Sequence, residues 1–373
     1  MSAAVSTSAA AIPGATTAAR LRIGVIVTCY NYARYVGYAI DSVRAQARPA
    51  DELIVVDDGS TDGSRDIISR YGAAVRPIFQ VNAGQVAARN AGFAASTADV
   101  VLFLDADDAL LPDALAQIER HWSADAAKLQ FDLELIGAAG EGLNRRCCTF
   151  PAGYDAAAIA AEFLRTGTYR WPVTSGNVYA RRLIEPLMPM QPPQSQDGVL
   201  NTIAPLYGRV ISLSQPLGQY RLHGSNASRA RVTARAALPH FSRRIAIRHA
   251  ELDVLRQHAA ALGVSLPGDP LDHEIVFVNY RLMARKLREC YVHSERDSTP
   301  HLWWRGIRLA WNGAHPLTAR MAHSLWFCVL ALCPTALAPL LTELRFDRSN
   351  VRARVHHWWR GRFGSGVRGE TPR

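Results

Sequence analysis

Lysine is nearly missing from this chain of 373 residues: Lys128 and Lys286 are the only two, so almost all of its 42 basic side chains are arginine. Against 32 acids this leaves a formal charge of +10, which favours anionic partners such as nucleotides, nucleic acid or an acidic membrane surface. The six cysteines form no CxxC pair, which argues against a disulfide scaffold or a structural zinc site. Residues 1–20 lack a basic segment followed by an apolar run; they read as a disordered leader on a cytoplasmic protein, not as a secretory signal. Thr28-Cys29-Tyr30-Asn31-Tyr32, after the first apolar run, contains no glycine. That removes the GxGxxG turn of a Rossmann dehydrogenase and the Gly-rich, Lys-containing loop of a sugar nucleotidyltransferase. A hydrophobic content of 49% is enough to bury a real core, and the length suits two domains.

From Ile23 onward short apolar runs alternate with helical periodicity, the pattern of a βαβ architecture with a parallel sheet. The spacing predicts strands over 23–28, 53–56, 75–80 and 100–104. It predicts helices from Val36 toward Pro49, over 64–71, over 84–96, and from Pro112 with Leu115, Ile118 and Trp122 on one face. Residues 128–230 are less regular, with strands expected over 129–136, 177–180 and 210–213 and helices over 155–166 and 196–207. Beyond Thr233 the chain turns helical and arginine-rich, with periodic stretches over 234–262 and 272–291. The organisation read from this is a leader over 1–20, an α/β domain over 21–230 and a helical region over 231–373.

Two strand ends carry carboxylates, where open α/β sheets bind their ligands. Asp105-Ala106-Asp107-Asp108 places three negative charges in four residues, with Asp105 and Asp107 on one side of an extended segment. Such crowding raises carboxylate pKa values and is costly unless a cation compensates; an oxygen-rich set suits Mg2+ or Mn2+. Alone, the run also fits a solvated acidic turn capping the helix after Pro112. Asp57-Asp58-Gly59-Ser60-Thr61-Asp62 adds a glycine for a tight turn and acids that can accept from a ribose hydroxyl or a pyrimidine N–H, although an Asx turn would use the same residues. Arg89, in a helix that opens at Gly84, is placed to meet a diphosphate or else is a surface arginine.

Val27-Thr28-Cys29-Tyr30-Asn31-Tyr32, Val55-Val56-Asp57-Asp58-Gly59-Ser60-Thr61-Asp62, Ala88-Arg89-Asn90-Ala91-Gly92 and Phe103-Leu104-Asp105-Ala106-Asp107-Asp108, in this order and spacing, resemble an inverting family 2 glycosyltransferase. The resemblance implies an α/β GT-A fold with a Rossmann-like mixed sheet, a nucleotide-diphosphate sugar donor and a divalent cofactor, Mn2+ or Mg2+. It implies that Thr28 and Tyr30 line the base and ribose pocket, that Asp57 and Asp58 contact the donor with Asp58 on the base, and that Arg89 meets the diphosphate. Asp105 and Asp107 would form the DxD motif, with Asp107 the direct metal ligand. The family's general base is the Asp of a Glu-Asp pair on a later helix; the matching segment is Ser195-Gln196-Asp197-Gly198, which assigns Asp197. Gln196 stands where Glu is common and can position Asp197 but cannot raise its pKa by charge. The segment 220–226 resembles a loop that closes over the diphosphate, making Arg221 a donor contact and His223 a metal or phosphate contact, or a structural hydrogen bonder. Acceptor selection is expected to involve Gln196 and the segment Trp171-Pro172-Val173-Thr174-Ser175-Gly176-Asn177, where Trp171 offers an apolar face to a sugar or else packs in the core.

The expected activity is sugar transfer to the hydroxyl of a saccharide or lipid-linked acceptor, in assembly of polysaccharide, glycolipid or another glycoconjugate. Residues 301–373 hold eleven arginines against three acids and six of the eight tryptophans, and 324–341 is an uncharged apolar stretch containing Pro334 and Pro339. This composition suggests a broken helix lying in an anionic membrane interface on the cytoplasmic face; a solvated helical subdomain or a single span would also account for it. A non-catalytic nucleotide-sugar binding protein is the competing functional class. Nucleic-acid binding, suggested by charge alone, shows no recognition module, so no such partner is expected.

Overall fold

The computed structural model describes residues 20–191, 196–223, 241–312 and 316–346. Its centre is built from the runs that are apolar on both faces: β1 (Ile23–Cys29), β2 (Glu52–Asp58) and β4 (Val100–Asp105), with β3 (Arg76–Gln80) beside β2. All four are parallel, in the order β3-β2-β1-β4. Because side chains alternate across a strand, Val25, Val27, Leu102 and Leu104 enter one core layer and Ile26, Val101 and Phe103 the other. The first layer is covered by α1 (Val36–Arg44) and α4 (Ala114–His121), the second by α3 (Gln85–Ala95) and α7 (Gln196–Tyr207). At Gly92 a Cβ would come within 2.4 Å of the Ile26 side chain, so the glycine lets α3 lie close on the sheet.

The sheet then reverses. β8 (Asn177–Ala180) runs antiparallel to β4, and β6 (Ala126–Ile136) antiparallel to β8. β9 (Arg209–Arg221) runs parallel to β6, and the short β5 (Ala109–Leu110) closes the edge antiparallel to β9. β7 (Gly142–Arg146) pairs with the far end of β6. Three further helices complete this part: α2 (Ser64–Ser69), α5 (Ala156–Thr166) and α6 (Arg181–Ile184). Two expectations change. The helix after Val36 ends at Arg44, short of Pro49, where Gln46 donates to the Ser42 and Leu111 carbonyls and takes the backbone out of the helix. β9 continues to Arg221 instead of stopping near 213, because irregular pairing with β6 absorbs Pro216 and Gly218, which look like turn residues in sequence.

The C-terminal helices are α8 (Phe241–Ala261), α9 (Ile275–Lys286), α10 (Thr299–Asn312), α11 (Leu317–Leu332) and α12 (Ala338–Phe346). α8 belongs to two cores: Leu252 and Leu255 pack beneath the sheet, whereas Phe241 and Ile245 pack with Val278, Leu282, Phe327 and Leu330 of the following helices. Between these ends lies Arg248, 2% exposed. Its Nη1 donates to Thr202 Oγ1 on α7 at 2.5 Å and to Glu251 at 3.0 Å, and its Nη2 pairs with Glu274 at 2.5 Å. One guanidinium thus ties α7 to α8 and to the segment before α9. The apolar stretch 324–341 is not one helix: the chain bends by 120° between α11 and α12, at a break containing Pro334. Among the described residues no single helix is long and apolar enough to cross a membrane.

Lys128 is fully buried, its Nζ donating to Gln130 Oε1 at 2.7 Å and Tyr169 OH at 3.2 Å; Tyr169 OH in turn donates to the Asn201 carbonyl of α7 at 2.8 Å. Burial holds this amine well below the ordinary lysine range. From that depressed value up to about 10.4 the unfolded chain binds a proton the fold does not, so stability rises with pH across that window. Lys128→Met keeps the volume and removes the amine. Its Tm is expected to be higher at pH 7 and to climb less than that of the wild type between pH 7 and 10; equal slopes would mean the amine stays charged in the fold. Gly198, next to Asp197, tests the α8 contact, since a Cβ there would lie 1.9 Å from Glu251 Oε1. Gly198→Ala is expected to cost about 1–3 kcal/mol in denaturant unfolding, part of it recovered by the shorter Glu251→Asp in the same chain. Additive effects would show that Glu251 is not the obstacle.

Candidate active site

Register brings the strand-end residues together. Across β1, Thr28 stands opposite Asp105 of β4 and Cys29 opposite Asp57 of β2. The loop after β1 is pinned to the loop after β2: Asn31 and Tyr32 donate their backbone N–H to Ser60 Oγ and Ser64 Oγ at 2.9 and 3.0 Å, and Ala33 N–H donates to Asp62 at 3.0 Å. Asn31 is left-handed (φ 58°), a conformation that asparagine tolerates, and its Oδ1 accepts from Thr61 N–H at 2.7 Å. Gly59 (φ 74°) has no such alternative, since a Cβ would meet the Asn82 nitrogen at 2.5 Å.

The two aspartates after Val56 do different work. Asp58 accepts from Gln80 Nε2 at 2.7 Å and from the Ala83 and Gly84 N–H groups at 2.9 and 2.8 Å, which shapes the turn leading into α3. Asp57 accepts from Ser60 N–H at 3.3 Å and faces Arg65 at 3.5 Å through Oδ2, while its Oδ1 is buried without a hydrogen-bond partner. The open acceptor is therefore on Asp57, whereas Asp58, expected on the base, is occupied by the loop. Tyr30 is 46% exposed and Thr28 half-buried at the strand end.

In the acidic run, Asp108 is a latch: it is fully buried and accepts from Ser175 Oγ at 2.5 Å and from Arg221 N–H at 3.0 Å. Burial, then the Asp107 and Asp105 charges, push it well above the usual carboxylate range. Asp107 faces His223, with Oδ2 2.8 Å from Nε2, both residues 7% exposed. The imidazole lies against the rings of Tyr32 and Tyr35. Arg221, expected as a donor contact, is 3% exposed; its Nε donates to the Asp107 carbonyl at 2.9 Å and its guanidinium lies over Tyr35 and Tyr38. That geometry fixes the Asp107 backbone. Among the described residues no three His, Cys, Asp or Glu side chains converge as a closed metal cage. A carboxylate and an imidazole at contact distance still fit a divalent ion that fills its shell with water and phosphate oxygens.

Arg89 joins the acidic run to Asp197. It is 2% exposed, with Nη2 3.0 Å from Asp105 Oδ1 and Nη1 3.1 Å from Asp197 Oδ2. Thr174 Oγ1 accepts from the same guanidinium at 3.2 Å and donates to Asp197 Oδ2 at 2.5 Å. Asp197, in the first turn of α7, thus has one oxygen held by two donors while its Oδ1 is buried with no hydrogen-bond partner among the described residues. Burial pushes the Asp105 carboxyl up to about 6, opposed by Arg89 and reinforced by Asp107 and Asp197. Arg89, expected at a diphosphate, is in this structure the clamp between two carboxylates.

Trp171 is half-buried, edge-on to Tyr169 at 5.3 Å with the Arg248 guanidinium 5.2 Å over its ring, so it packs against the interior layer and one of its faces is taken by a cation. Gln196 begins α7, but its side chain lies outside the described residues, as do residues 224–226 of the expected closing loop and the leader over 1–19. Thr174 and Ser175, which reach Asp197 and Asp108, were grouped in sequence only with the acceptor segment after Trp171. Their signal was a Thr-Ser-Gly-Asn run ahead of a strand, which carries no charge to single it out.

The family model for glycosyl transferase family 2 matches residues 24–134. An uncharacterized glycosyltransferase of Nostoc sp. is 38% identical over 215 residues, 55% of this chain and 66% of that protein. The glycosyltransferase GlyA of Streptococcus pneumoniae is 28% identical over 228 residues, 56% of this chain and 32% of that protein. The chain therefore spans about two thirds of one curated relative and one third of the other. The solved structure of S. aureus TarS 1-349 in complex with UDP-GlcNAc is similar at a TM-score of 0.47 and 19% identity, covering 91% of this chain and 92% of that one. Through residues 24–134, the segment that carries the strand-end acids, the chain belongs to glycosyl transferase family 2 and has its GT-A fold.

Proposed function

We propose that the chain is a metal-dependent inverting glycosyltransferase that moves a sugar from a nucleotide diphosphate to a hydroxyl of a saccharide or lipid-linked acceptor at the cytoplasmic face of a membrane. The observation that carries this is the buried Arg89 held between Asp105 and Asp197. It keeps an acid of the donor motif and an acid whose second, buried oxygen has no hydrogen-bond partner among the described residues at a fixed separation, as a single displacement requires.

The base of the donor would meet Asp57 Oδ1, the buried acceptor without a partner, with Thr28 and the exposed ring of Tyr30 beside it. Asp107 and His223 would hold Mn2+ or Mg2+, with Asp105 adjacent; when bound, such an ion offsets the charge that grows on the departing diphosphate. The acceptor hydroxyl attacks the anomeric carbon from the face opposite the diphosphate, and Asp197 Oδ1 takes its proton. Arg89 and Thr174 hold the other oxygen of Asp197 meanwhile, so the carboxylate need not rotate as it is protonated.

A panel of nucleotide sugars tested for Mn2+-dependent binding and slow hydrolysis identifies the donor without knowledge of the acceptor. With that donor, Asp107→Ala is expected to abolish Mn2+-dependent hydrolysis. Asp197→Asn is expected to lower acceptor-dependent turnover by about 10²–10⁴ while leaving nucleotide binding nearly intact. Normal transfer by Asp197→Asn would place the base elsewhere.

A further inference from the structure

We propose that the bend between α11 and α12 is a membrane-docking tip, with an apolar face that enters the interface and a basic pocket beside it that takes the phosphate of an anionic lipid headgroup. This deepens the membrane placement proposed above but is independent of the transfer chemistry.

The apolar face is continuous. Leu317, Met321, Leu325, Val329 and Leu332 of α11 are 61%, 60%, 67%, 41% and 84% exposed. At about 100° per residue they fall within an arc of roughly 120°. Their opposite side is accounted for, since Phe327 and Leu330 are buried in the C-terminal core. Leu337 and Leu340 continue the exposure beyond the bend, at 50% and 42%. Aromatic and cationic side chains border the face: Trp304, Arg308 and Trp311 are exposed on one side of α10, and Trp311 Nε1 donates to Ser324 Oγ at 3.0 Å, next to Leu325. Tryptophan and arginine at the rim of an apolar stripe suit the headgroup boundary of a bilayer.

Charge selects the occupant. From Thr299 through Phe346 the sequence has four arginines and one acid, Glu343. A cavity of about 500 Å3 opens beside the bend, lined by Arg285, Lys286, Arg288, Tyr291 and by Thr335 of the break itself. Lys286 Nζ donates to the Ala331 and Cys333 carbonyls at 2.6 and 2.9 Å and so holds the end of α11 against α9. Arg285 and Arg288 are exposed and make no ion pair among the described residues. The acids of the cavity are engaged elsewhere: Glu289 accepts from Ser242 N–H at 2.8 Å, and Glu295 faces His293 and Arg296. The rim thus offers two guanidinium groups without an ion pair among the described residues, in a cavity that Thr335, between Leu332 and Leu337, also lines. A second copy of the chain would bring the same positive charges against this face; a lipid phosphate neutralises them.

The test is co-sedimentation of the full chain with vesicles of phosphatidylcholine alone or mixed with phosphatidylglycerol, without donor. Wild type is expected to bind the mixed vesicles and to prefer them strongly over phosphatidylcholine. Leu332→Glu with Leu337→Glu should reduce that binding at least tenfold. Arg285→Gln with Arg288→Gln should lower the preference about thirtyfold, at roughly a factor of five for each arginine. Donor hydrolysis in solution should be unchanged in both paired variants, which separates failed docking from failed chemistry. Equal binding to both vesicle types would overturn the phosphate pocket, and release by millimolar inorganic phosphate would make it a free-anion site. An apolar face covered in a dimer, seen as a halved mass for the leucine variants in light scattering with no vesicle binding by wild type, would overturn the docking tip.

Discussion

The arrangement depends on a single buried cation that two carboxylates share. Arg89 is on the helix after β3, Asp105 at the end of β4 and Asp197 at the start of α7, so three separate parts of the chain meet at one guanidinium. A buried arginine with fewer than two acidic partners would carry a desolvation cost its Coulomb attraction could not offset. With both partners in place its charge is compensated, and geometry is what the chain gains: a planar fork fixes direction as well as distance. The acidic run is less well compensated. Asp105, Asp107 and Asp108 lie within four residues; burial, with Asp107 and Asp197, pushes Asp105 upward against Arg89, and burial, with Asp107 and Asp105, pushes Asp108 upward. This local excess of negative charge, formed in a protein whose net charge is +10, is the electrostatic basis of the divalent ion proposed above, since carboxylates alone would repel a diphosphate.

Much of the sheet was legible because its central strands are buried on both faces. Runs such as Val100-Val101-Leu102-Phe103-Leu104 leave no other placement, and the acids that end them mark the strand termini as plainly as any turn residue. The second half of the sheet was harder. β5 is two residues long, and β9 contains Pro216 and Gly218 within a pairing that tolerates them only because its partner β6 shifts register there. Motif spacing located Asp107, Asp197 and Arg89, but not which atoms each would occupy. The division of labour between Asp57 and Asp58 is invisible in a dipeptide, since it is set by backbone N–H groups some 25 residues later that converge on Asp58 alone. Trp171 illustrates the converse: its type suits either a sugar platform or a core, and sequence gives no hint that Arg248, from the C-terminal half of the chain, lies over its ring.

That arginine also changes how the C-terminal half should be regarded. α8 enters the layer beneath the sheet and the helical core at its two ends, and between them Arg248 reaches Thr202, one and a half turns along α7 from Asp197. At the preceding residue of the same helix Tyr169 donates to the Asn201 carbonyl, with Lys128 behind it in relay. The helix bearing the proposed base is therefore held at two adjacent residues by buried polar groups. Gly198 is the price of this enclosure, because any side chain there would collide with Glu251. If the outer helices dock on a bilayer through the α11–α12 bend, the contact is mechanically continuous with α7 through α9, α8 and Arg248. The orientation imposed by the membrane would then also orient the base, so an acceptor hydroxyl near the lipid surface would meet a carboxylate already held in place.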